Sequence, residues 1–399
     1  PPTWHVERMP ATELPVLVLL DGLGTLLPDN PKAATSVVIR RTVQQLEQEV
    51  LPAFLGPRGW FAQRTEDITT TRLAERTLWR REQKSFVLSF VEVNSSSGRQ
   101  RYFLPMTLEW EEGVETGALR TAEWTLAKVR EHARAGVLID AFADPTFCLG
   151  IARCVAAKLV VPFASGEVRC ERAAASDLLG SGEFQAVQFV GAESTNTSVV
   201  LDDAIFLKAY RRVDPGPSPD IELTRYLAEA GFASVAAHIG TVTYIEDDER
   251  TDLIGLFAYV RNQGDVWTYA LNHLERFLAD VSADGENPQA PHALFDAQMH
   301  TLGKRVGQMH ALLASAQHDA AFTPEPLRPS DLTDWSQQVQ AKLDDVLQRI
   351  QQRIPSLNEQ AHAQLQLLLS QRARLVVLIE ASAKAPVDAM KARHHGNLH

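Results

Sequence analysis

Cysteine and long apolar runs are scarce in this sequence. Its three cysteines, Cys148, Cys154 and Cys170, are odd in number, lack CxxC spacing and stand among apolar residues. They are therefore predicted to be buried thiols of a reducing cytosol rather than ligands of a metal. No apolar run approaches the roughly 18 residues that a membrane-spanning helix needs, so no membrane partner is expected. No signal peptide is recognisable behind the first residue, Pro1, and the predicted location is the cytoplasm.

An excess of positive charge is also missing. The 399 residues carry 39 lysines and arginines against 50 aspartates and glutamates, a formal net charge of −11. A general nucleic-acid binder needs a basic field, so nucleic acid is not an expected partner. No G-x-S-x-G, HExxH or paired-carboxylate motif stands out, which argues against a hydrolase. A hydrophobic content of 45% and the length instead indicate a globular protein of two or three domains.

The hydrophobic pattern predicts a mixed front, a β-rich middle and a helical back. The front elements are a strand at Pro15–Leu20, a helix from about Ser36 to Leu55, a hairpin over 84–110 and a helix over Thr121–Ala135, followed by mixed segments as far as Val168. The middle elements are strands at Ala186–Val190, Thr197–Leu201, Ala204–Tyr210, Ala236–Ile245 and Asp252–Val260, with one helix from Pro219 to about Ala230. Helices follow from about Asp265, over Ala293–Ala314, and at about 331–354 and 357–384; the last is apolar enough to predict burial.

Three features of the middle section point to phosphate chemistry. A small-polar loop runs from Glu193 to Thr197, a strand lysine, Lys208, stands among apolar neighbours, and a helix begins near Pro219 with Glu222 in its first turn. This order is the arrangement by which protein-kinase-type lobes hold ATP: loop N–H groups cover the phosphates, the lysine bridges phosphate oxygens and the glutamate orients the lysine. The loop lacks the kinase glycine triad. The alternative is a strand-end lysine that reaches water and a favourable first-turn charge.

The last residues, "KARHHGNLH", fit the same order of elements. After a linker, "AYVRNQGDV", and several helices, a kinase-type fold carries a His-Gly-Asp or His-Arg-Asp loop, and residues 395–399, "HGNLH", fall at that place. Gly396 would permit a tight backbone there. The alternative interpretation is a helix C-cap with basic residues in the last turn and glycine at C′.

These motifs resemble bacterial maltokinases, relatives of the aminoglycoside phosphotransferases. The run from residue 191, "GAESTNTSVVLDDAIFLKAYRRVDPGPSPDIELTRYLAEAGF", is similar to the nucleotide-binding region of that family. The segment "LGKRVGQMHALLA" at 302–314 looks like a helix of its helical lobe, and "RHHGNLH" looks like the start of its catalytic loop, R-x-H-G-D-x-H-L-G-Q. The front segments "LPVLVLLDGLGTLL" and "LEQEVLPAFLGPRGWFAQR" look like the join between a trehalose synthase and a maltokinase fused behind it.

The resemblance implies an α+β, protein-kinase-like two-lobe fold with an N-terminal cap subdomain, a mixed β-rich front half and an all-helical back half. The implied divisions are a linker and strand from an upstream domain at 1–40, the cap at 41–150, the N-lobe with the nucleotide-binding strands at 151–262, and an incomplete helical C-lobe at 263–399. We expect both ends to be cut, with a trehalose synthase domain upstream as partner. The oligomeric state, including a homo-oligomer, is left open.

The implied activity is ATP-dependent phosphorylation of maltose, or a related α-glucan sugar, to maltose 1-phosphate. The residues that would bind nucleotide are Lys208, Glu222, Ser194, Thr195, Asn196, Thr197, Tyr259 and Val260. The catalytic loop would contribute Asn397, at the position of the family's catalytic aspartate, with His395 and His399. The cofactor Mg²⁺ would be held by an aspartate expected beyond residue 399, so the 399 residues alone are not expected to form a competent kinase.

Asn397 departs from the family pattern, and two other classes of function stay open. An amide can accept a hydrogen bond from a hydroxyl but cannot take its proton as a base. One alternative is therefore a pseudokinase-like module that binds nucleotide or α-glucan without turnover. The other is a scaffold that uses the helical pair at 331–384 as a docking surface, although its apolar stripe is explained more simply by core packing.

Overall fold

The computed structural model describes residues 14–32, 36–61, 67–96, 98–111, 122–173, 177–180, 182–190, 196–284, 292–315, 319–353, 359–384, 387–394 and 396. The chain divides into two compact units, Pro1–Asn272 and His273–His399. The front unit is mixed α and β, and the described residues of the second unit are helical apart from one short strand pair. Among the described residues, no helix combines the length and the apolar character needed to cross a bilayer.

The first sheet of the front unit is antiparallel except at one edge. Within the described residues its strands are β1 (Val16–Leu19), β2 (Ile68–Arg81), β3 (Lys84–Ser95), β4 (Gly98–Phe103), β5 (Met106–Trp110), β6 (Thr125–Glu131) and β7 (Arg134–Asp140). Their order is β1-β6-β7-β5-β3-β2, with β4 also paired to β3 and only β1 and β6 parallel. The predicted strand near Pro15 and the predicted hairpin over 84–110 are confirmed, whereas β2 was not anticipated.

The predicted helix from Ser36 is present as α1 (Val37–Gln45), a π turn (Leu46–Val50) and α2 (Leu51–Leu55). The Ser36 hydroxyl caps the first turn by accepting a hydrogen bond of 3.3 Å from the Ile39 N–H. The apolar residues that recur along this helix, Leu46, Val50, Phe54 and Leu55, are buried against the first sheet. Periodic burial explains why the sequence predicted this element correctly.

The helix predicted over Thr121–Ala135 is wrong, because this segment forms the β6–β7 hairpin. Leucine, alanine, lysine and glutamate favour helices locally, but burial follows a strand: Ala127 and Val129 are buried while Arg130 is exposed. A left-handed residue, His132 (φ 53°), closes the turn. Pairing with β7 on one side and β1 on the other overrides the local propensity.

The second sheet contains every strand predicted for the middle section and two more. In the described part of the chain it comprises β8 (Val160–Pro162), β9 (Glu167–Arg172), β10 (Val187–Val190), β11 (Thr197–Leu201), β12 (Ile205–Ala209), β13 (His238–Glu246) and β14 (Glu249–Ala258). Their order is β10-β11-β12-β14-β13-β9-β8, with each neighbouring pair antiparallel. The five-stranded prediction is thus too small, since β8 and β9 extend the sheet beyond β13. The predicted Asp202-Asp203 turn is confirmed, with both residues left-handed.

Two helices accompany this sheet. Helix α3 (Pro145–Ala156) lies in a segment for which the sequence predicted only mixed structure, and the Asp144 carboxylate caps it by accepting a hydrogen bond of 2.8 Å from the Thr146 N–H. Helix α4 (Pro219–Glu229) confirms the helix predicted from Pro219. Proline at its first position and acidic residues in its first turn favour a start at this point.

The two sheets of the front unit share one hydrophobic core. Phe90 of β3 lies 4.6 Å from Tyr244 of β13 between ring centroids, and the Phe103 N–H donates to the Arg211 carbonyl at 2.7 Å. The cluster continues through α3 with Phe147 and into the second sheet with Leu207. Apolar burial of this kind is the main favourable term in folding, so the sheets stabilise each other.

The second unit is built from helices that mostly confirm the predicted ones. They are α5 (Val266–Asp284, which begins in the front unit), α6 (Ala293–Ala314), α7 (Pro329–Arg353), α8 (Glu359–Ser370) and α9 (Arg372–Ala383), with the strand pair β15 (Glu325–Pro326) and β16 (Met390–Lys391). The single helix predicted over 357–384 is interrupted at Gln371. Its predicted burial is wrong for the described residues, because no element covers Val377 and Leu378, which are 63% and 56% exposed.

A buried ion pair joins the first sheet to the second. Arg211, which follows β12, donates from Nη2 to Asp140 Oδ2 at 2.7 Å, and the two side chains are 0% and 1% exposed. The guanidinium also donates from Nε to the Thr197 hydroxyl at 2.7 Å and lies 4.3 Å from the Phe142 ring centroid. Burial lowers the pKa of Arg211, and the charge of Asp140 opposes this effect. The pair therefore needs both partners to tolerate its desolvation.

Replacing one partner of this pair should strongly destabilise the front unit. We expect Arg211→Met or Asp140→Asn to lower the free energy of unfolding in urea by about 3–5 kcal/mol, because each leaves a buried charged group without its partner. The neighbouring pair of Arg212 and Asp214, at 2.7 Å but exposed to solvent, provides the control. Arg212→Met should cost less than about 1 kcal/mol. Equal losses at 211 and 212, or strict additivity in Arg211→Met/Asp140→Asn, would contradict this account.

Candidate functional site

The lysine singled out from the sequence lies in the middle of the second sheet. Lys208 of β12 is opposite Ser198 of β11 on one side and Gly255 of β14 on the other. Burial alternates along β12: Leu207 and Ala209 are buried in the core, whereas Lys208 is only partly buried. The strand therefore directs the Lys208 side chain to the face of the sheet opposite the core.

The start of helix α4 is attached to that sheet by one carboxylate. Asp252 of β14 accepts a hydrogen bond of 2.8 Å from the Ser218 N–H at Oδ2 and one of 3.0 Å from the Thr243 hydroxyl at Oδ1. Ser218 is the residue immediately before the helix. Because the first N–H groups of a helix lack internal partners, an external acceptor at this point determines where the helix begins. Asp252 could not be predicted as a site residue, because in the sequence it is one more polar position of a strand pattern.

The Lys208 ammonium forms an ion pair with the Asp220 carboxylate in the first turn of α4. The Lys208 and Asp220 side chains are 25% and 46% exposed, so the pair is open to solvent and to a ligand. The sequence predicted Glu222 as the partner; this residue is in the same turn and 9% exposed. Residues two apart on a helix point roughly 200° away from each other. The sequence contains both carboxylates of this turn, but Asp220 was not predicted as the partner of Lys208. Pairing of Glu222 with Lys208 stays a prediction.

An aromatic ring borders this ion pair. The Lys208 Nζ is 5.8 Å from the centroid of the Tyr210 ring, two residues along on the same face. Burial raises the pKa of the Tyr210 phenol, and the negative charge of Asp220 raises it further. The Tyr210 side chain is therefore uncharged at physiological pH and lies beside the lysine.

The predicted phosphate loop is described only at its end. Asn196 and Thr197 lead into β11, with Asn196 partly buried and Thr197 buried. The Thr197 hydroxyl accepts the hydrogen bond from Arg211 Nε, which connects the start of this strand to the buried ion pair. Ser194 and Thr195 lie outside the described residues. The part of the loop that the structure describes therefore adjoins Lys208 through the register of β11 and β12.

The predicted linker residues follow β14 directly. The Tyr259 N–H donates to the Ala204 carbonyl at 2.8 Å, which extends the pairing between β14 and the turn before β12 by one residue. Val260 is exposed, and its carbonyl accepts a hydrogen bond of 3.1 Å from the Asn262 side chain. These two residues lie at the end of the strand next to β12, as the predicted order of elements requires.

The predicted catalytic loop is mostly outside the described residues. His395, Asn397 and His399 lie outside the described residues, whereas Gly396 has φ 75° and its N–H donates to His394 Nδ1 at 3.0 Å. This left-handed backbone agrees with the tight turn predicted at that glycine. The alternative of a helix C-cap at these residues is wrong, because α9 ends at Ala383 and strand β16 lies between.

The described residues do not include a group of three or more His, Cys, Asp or Glu side chains able to hold a metal ion. Mg²⁺ is therefore not assigned to any of them. The described part of the site consists instead of a strand ammonium, an acidic helix turn and a partly described polar loop. Such a set can bind and neutralise an anionic group of phosphate type.

Comparison with known proteins identifies the front of the chain. Residues 54–144 match the family model "Maltokinase N-terminal cap domain". This stretch runs from the end of α2 through strands β2 to β7 of the first sheet to the residue that caps α3. This part of the chain is therefore similar to the N-terminal cap of maltokinases, which confirms the resemblance and the predicted α+β fold with a cap.

Solved structures of glucosamine kinase are similar in outline. One, in complex with glucosamine, ADP and inorganic phosphate, has 18% identity and a TM-score of 0.45, covering 84% of this chain and 63% of that one. Crystal forms A and B of glucosamine kinase have 17% identity, with TM-scores of 0.44 and 0.48; they cover 86% and 84% of this chain, and 65% and 62% of their own. The chain thus spans less than two thirds of the length of these kinases. At TM-scores below 0.5 the similarity assigns no site residue and no ligand.

Removing the brace at the start of α4 should loosen the first turn of that helix. We expect Asp252→Ala to cost about 1–3 kcal/mol of unfolding free energy, because the Ser218 N–H and Thr243 hydroxyl both lose their acceptor. Hydrogen exchange should speed up at the Glu222 amide, which donates to the Ser218 carbonyl at 2.9 Å. The exposed Asp214→Ala serves as control and should leave this amide protected. Unchanged exchange in Asp252→Ala would show that α4 is held by other contacts.

Proposed function

We propose that this chain is the nucleotide-binding portion of an ATP-dependent maltose kinase that forms maltose 1-phosphate. The observation that carries the proposal is the ion pair between Lys208 and the acidic first turn of α4, in a unit that also contains a maltokinase cap. A solvent-accessible ammonium oriented by a carboxylate is the arrangement that phosphoryl-transfer enzymes use for the phosphates of ATP. The cap supports maltose as the acceptor sugar.

Each residue of the site has a role in this proposal. Lys208 binds phosphate oxygens and neutralises their charge, and Asp220 holds the ammonium until the nucleotide arrives. Glu222 supports the same lysine, and the loop that ends at Asn196 and Thr197 covers the phosphates with its N–H groups. Tyr259 and Val260, two residues of the linker, contact the base of the nucleotide. Catalysis in this class depends on positioning and electrostatic stabilisation rather than on covalent chemistry, which these residues can provide.

The acceptor side of the reaction rests on residues beyond the described set. His395, Asn397 and His399 would form the catalytic loop, with Asn397 orienting the anomeric hydroxyl of the sugar. Mg²⁺ would neutralise charge on the phosphates. A fused trehalose synthase domain would supply the sugar, and the protein would work in the cytoplasm.

A second candidate function is a binding module without turnover. Asn397 is the observation that favours it, because an amide cannot act as a base. Such a module would bind nucleotide through Lys208 and respond to it by stabilisation alone. The two candidates share the nucleotide site and differ only in the fate of the phosphoryl group.

Nucleotide binding is the first property to measure. In the 399-residue chain, Mg·ATP at a hundred times its Kd should stabilise the front unit by about 2.7 kcal/mol. Lys208→Met should weaken binding about tenfold or more in calorimetry, because a charge-assisted contact to phosphate is lost. Lys128→Met, which removes a partly buried strand lysine of the first sheet, should bind as the parent does. If Lys208→Met binds ATP unchanged, the nucleotide site lies elsewhere.

Turnover separates the two candidate functions. The complete gene product containing this chain should release ADP only when maltose and Mg²⁺ are both present, and maltose 1-phosphate should be detectable by mass spectrometry. Positioning carries much of the work in phosphoryl transfer, so Asn397 is expected to leave a slow reaction that Asn397→Asp accelerates. Glucose and glucosamine serve as control sugars. Intact ATP binding without ADP formation in either version would exclude the kinase and leave the binding module.

A further inference from the structure

Two of the buried cysteines meet beneath the end of strand β2. Cys154 of helix α3 and Cys170 of strand β9 are 1% and 3% exposed and pack in the same apolar core, where the interaction between their thiols shifts the pKa of both. Their backbones share a neighbour: the Leu159 N–H donates to the Cys154 carbonyl at 3.0 Å, and the Cys170 N–H donates to the Leu159 carbonyl at 2.9 Å. Helix α3 and strand β9 are thus connected through Leu159 at the two positions that carry the cysteines.

A cation covers one of these sulfurs. Arg81, at the end of β2, donates from Nη2 to Cys154 Sγ at 3.1 Å, and its guanidinium carbon lies 4.8 Å from the Trp79 ring centroid. Arg81 is only partly buried, so its side chain connects the thiol pair to the surface. A positive charge beside a thiol favours the thiolate, which is the nucleophilic form.

The surroundings make the cysteines chemically different. Hydrogen bonding from Cys170 and from Arg81 lowers the pKa of Cys154 to about 7. The same contact and burial raise the pKa of Cys170, so it keeps its proton. Burial and the charges of Asp144 and Asp140 raise the pKa of Cys148, which is in the same helix as Cys154. Cys154 is thus the reactive member, Cys170 its neutral neighbour and Cys148 an internal reference.

We propose that Cys154 and Cys170 form a peroxide-reactive dithiol that closes reversibly into a disulfide. The Cys154 thiolate attacks one oxygen of hydrogen peroxide, the O–O bond breaks, and the departing hydroxide takes a proton to become water. The Cys170 sulfur then attacks the resulting sulfenic acid at sulfur, and a second water leaves with the Cys170 proton. Overall the two thiols are oxidised, the peroxide is reduced to two waters, and a dithiol reductant reverses the change.

The disulfide would change the contact between the cap and the second sheet. Once Cys154 is oxidised, Arg81 no longer faces an anionic sulfur, while helix α3 becomes covalently attached to β9. Strand β9 is paired with β13 in the same sheet as Lys208. Oxidation of the two cysteines requires neither nucleotide binding nor the proposed kinase activity.

The test is oxidation of the native, full 399-residue chain by hydrogen peroxide. After quenching, alkylation and digestion, mass spectrometry should find a Cys154–Cys170 disulfide with Cys148 alkylated, and dithiothreitol should restore the thiols. Cys170→Ser should instead accumulate a sulfenic acid at Cys154 that dimedone traps, whereas Cys148→Ser should oxidise as the parent does. A disulfide that involves Cys148, or one that forms only in urea, would overturn the proposal.

The role of Arg81 has its own readout. The oxidation rate of the parent should rise with pH and reach half its maximum near pH 7, where the pKa of Cys154 lies, because only the thiolate reacts. Arg81→Gln should move this midpoint to higher pH and slow oxidation several-fold at pH 7. Arg80→Gln, at the exposed neighbouring position, should leave the profile unchanged. Identical profiles for the parent and Arg81→Gln would show that the guanidinium does not activate the thiol, contrary to the proposal.

Discussion

The buried ion pair between Arg211 and Asp140 is the interaction on which the front unit depends. It lies where the last strand of the cap and the strand that carries Lys208 both end, and neither side chain reaches solvent. Buried charges are tolerated only when each is paired and hydrogen-bonded, a condition met here by the Thr197 hydroxyl and by the Phe142 N–H, which donates to Asp140 at 3.1 Å. The cap and the second sheet are therefore aligned by directional polar contacts as well as by their common apolar core.

The buried ion pair lies next to the candidate site, because Arg211 follows the strand that carries Lys208. Lys208 and Arg211 are three residues apart, yet one is paired with a carboxylate twelve residues away and the other with a carboxylate 71 residues away. The solvent-accessible pair can exchange Asp220 for another anion, whereas the buried pair cannot exchange its partner without a large cost. One short segment thus contains a cation available to a ligand and a cation committed to the fold.

Local patterns predicted the site elements well and some of the cap poorly. The lysine strand, its turn and helix α4 were predicted correctly because each has strong periodicity or turn and start signals within a few residues. The β6–β7 hairpin was predicted as a helix, because its residues favour helices until pairing with neighbouring strands decides otherwise. Strands β8 and β9 are short, and helix α3 is apolar on most sides, so none of the three has a clear hydrophobic period in the sequence.

The sequence by itself determined the α+β class, the resemblance to maltokinases, a lysine on an alternating strand and an acidic helix start, since all of these are written in contiguous residues. Tertiary structure alone decided that Asp220 meets Lys208, that Asp252 holds the start of α4, that Asp140 neutralises Arg211 and that two cysteines meet beneath Arg81. Each of these contacts depends on the register of strands or on the rotation of a helix against a sheet. Such geometry results from packing between distant segments, and no short run of residues encodes it.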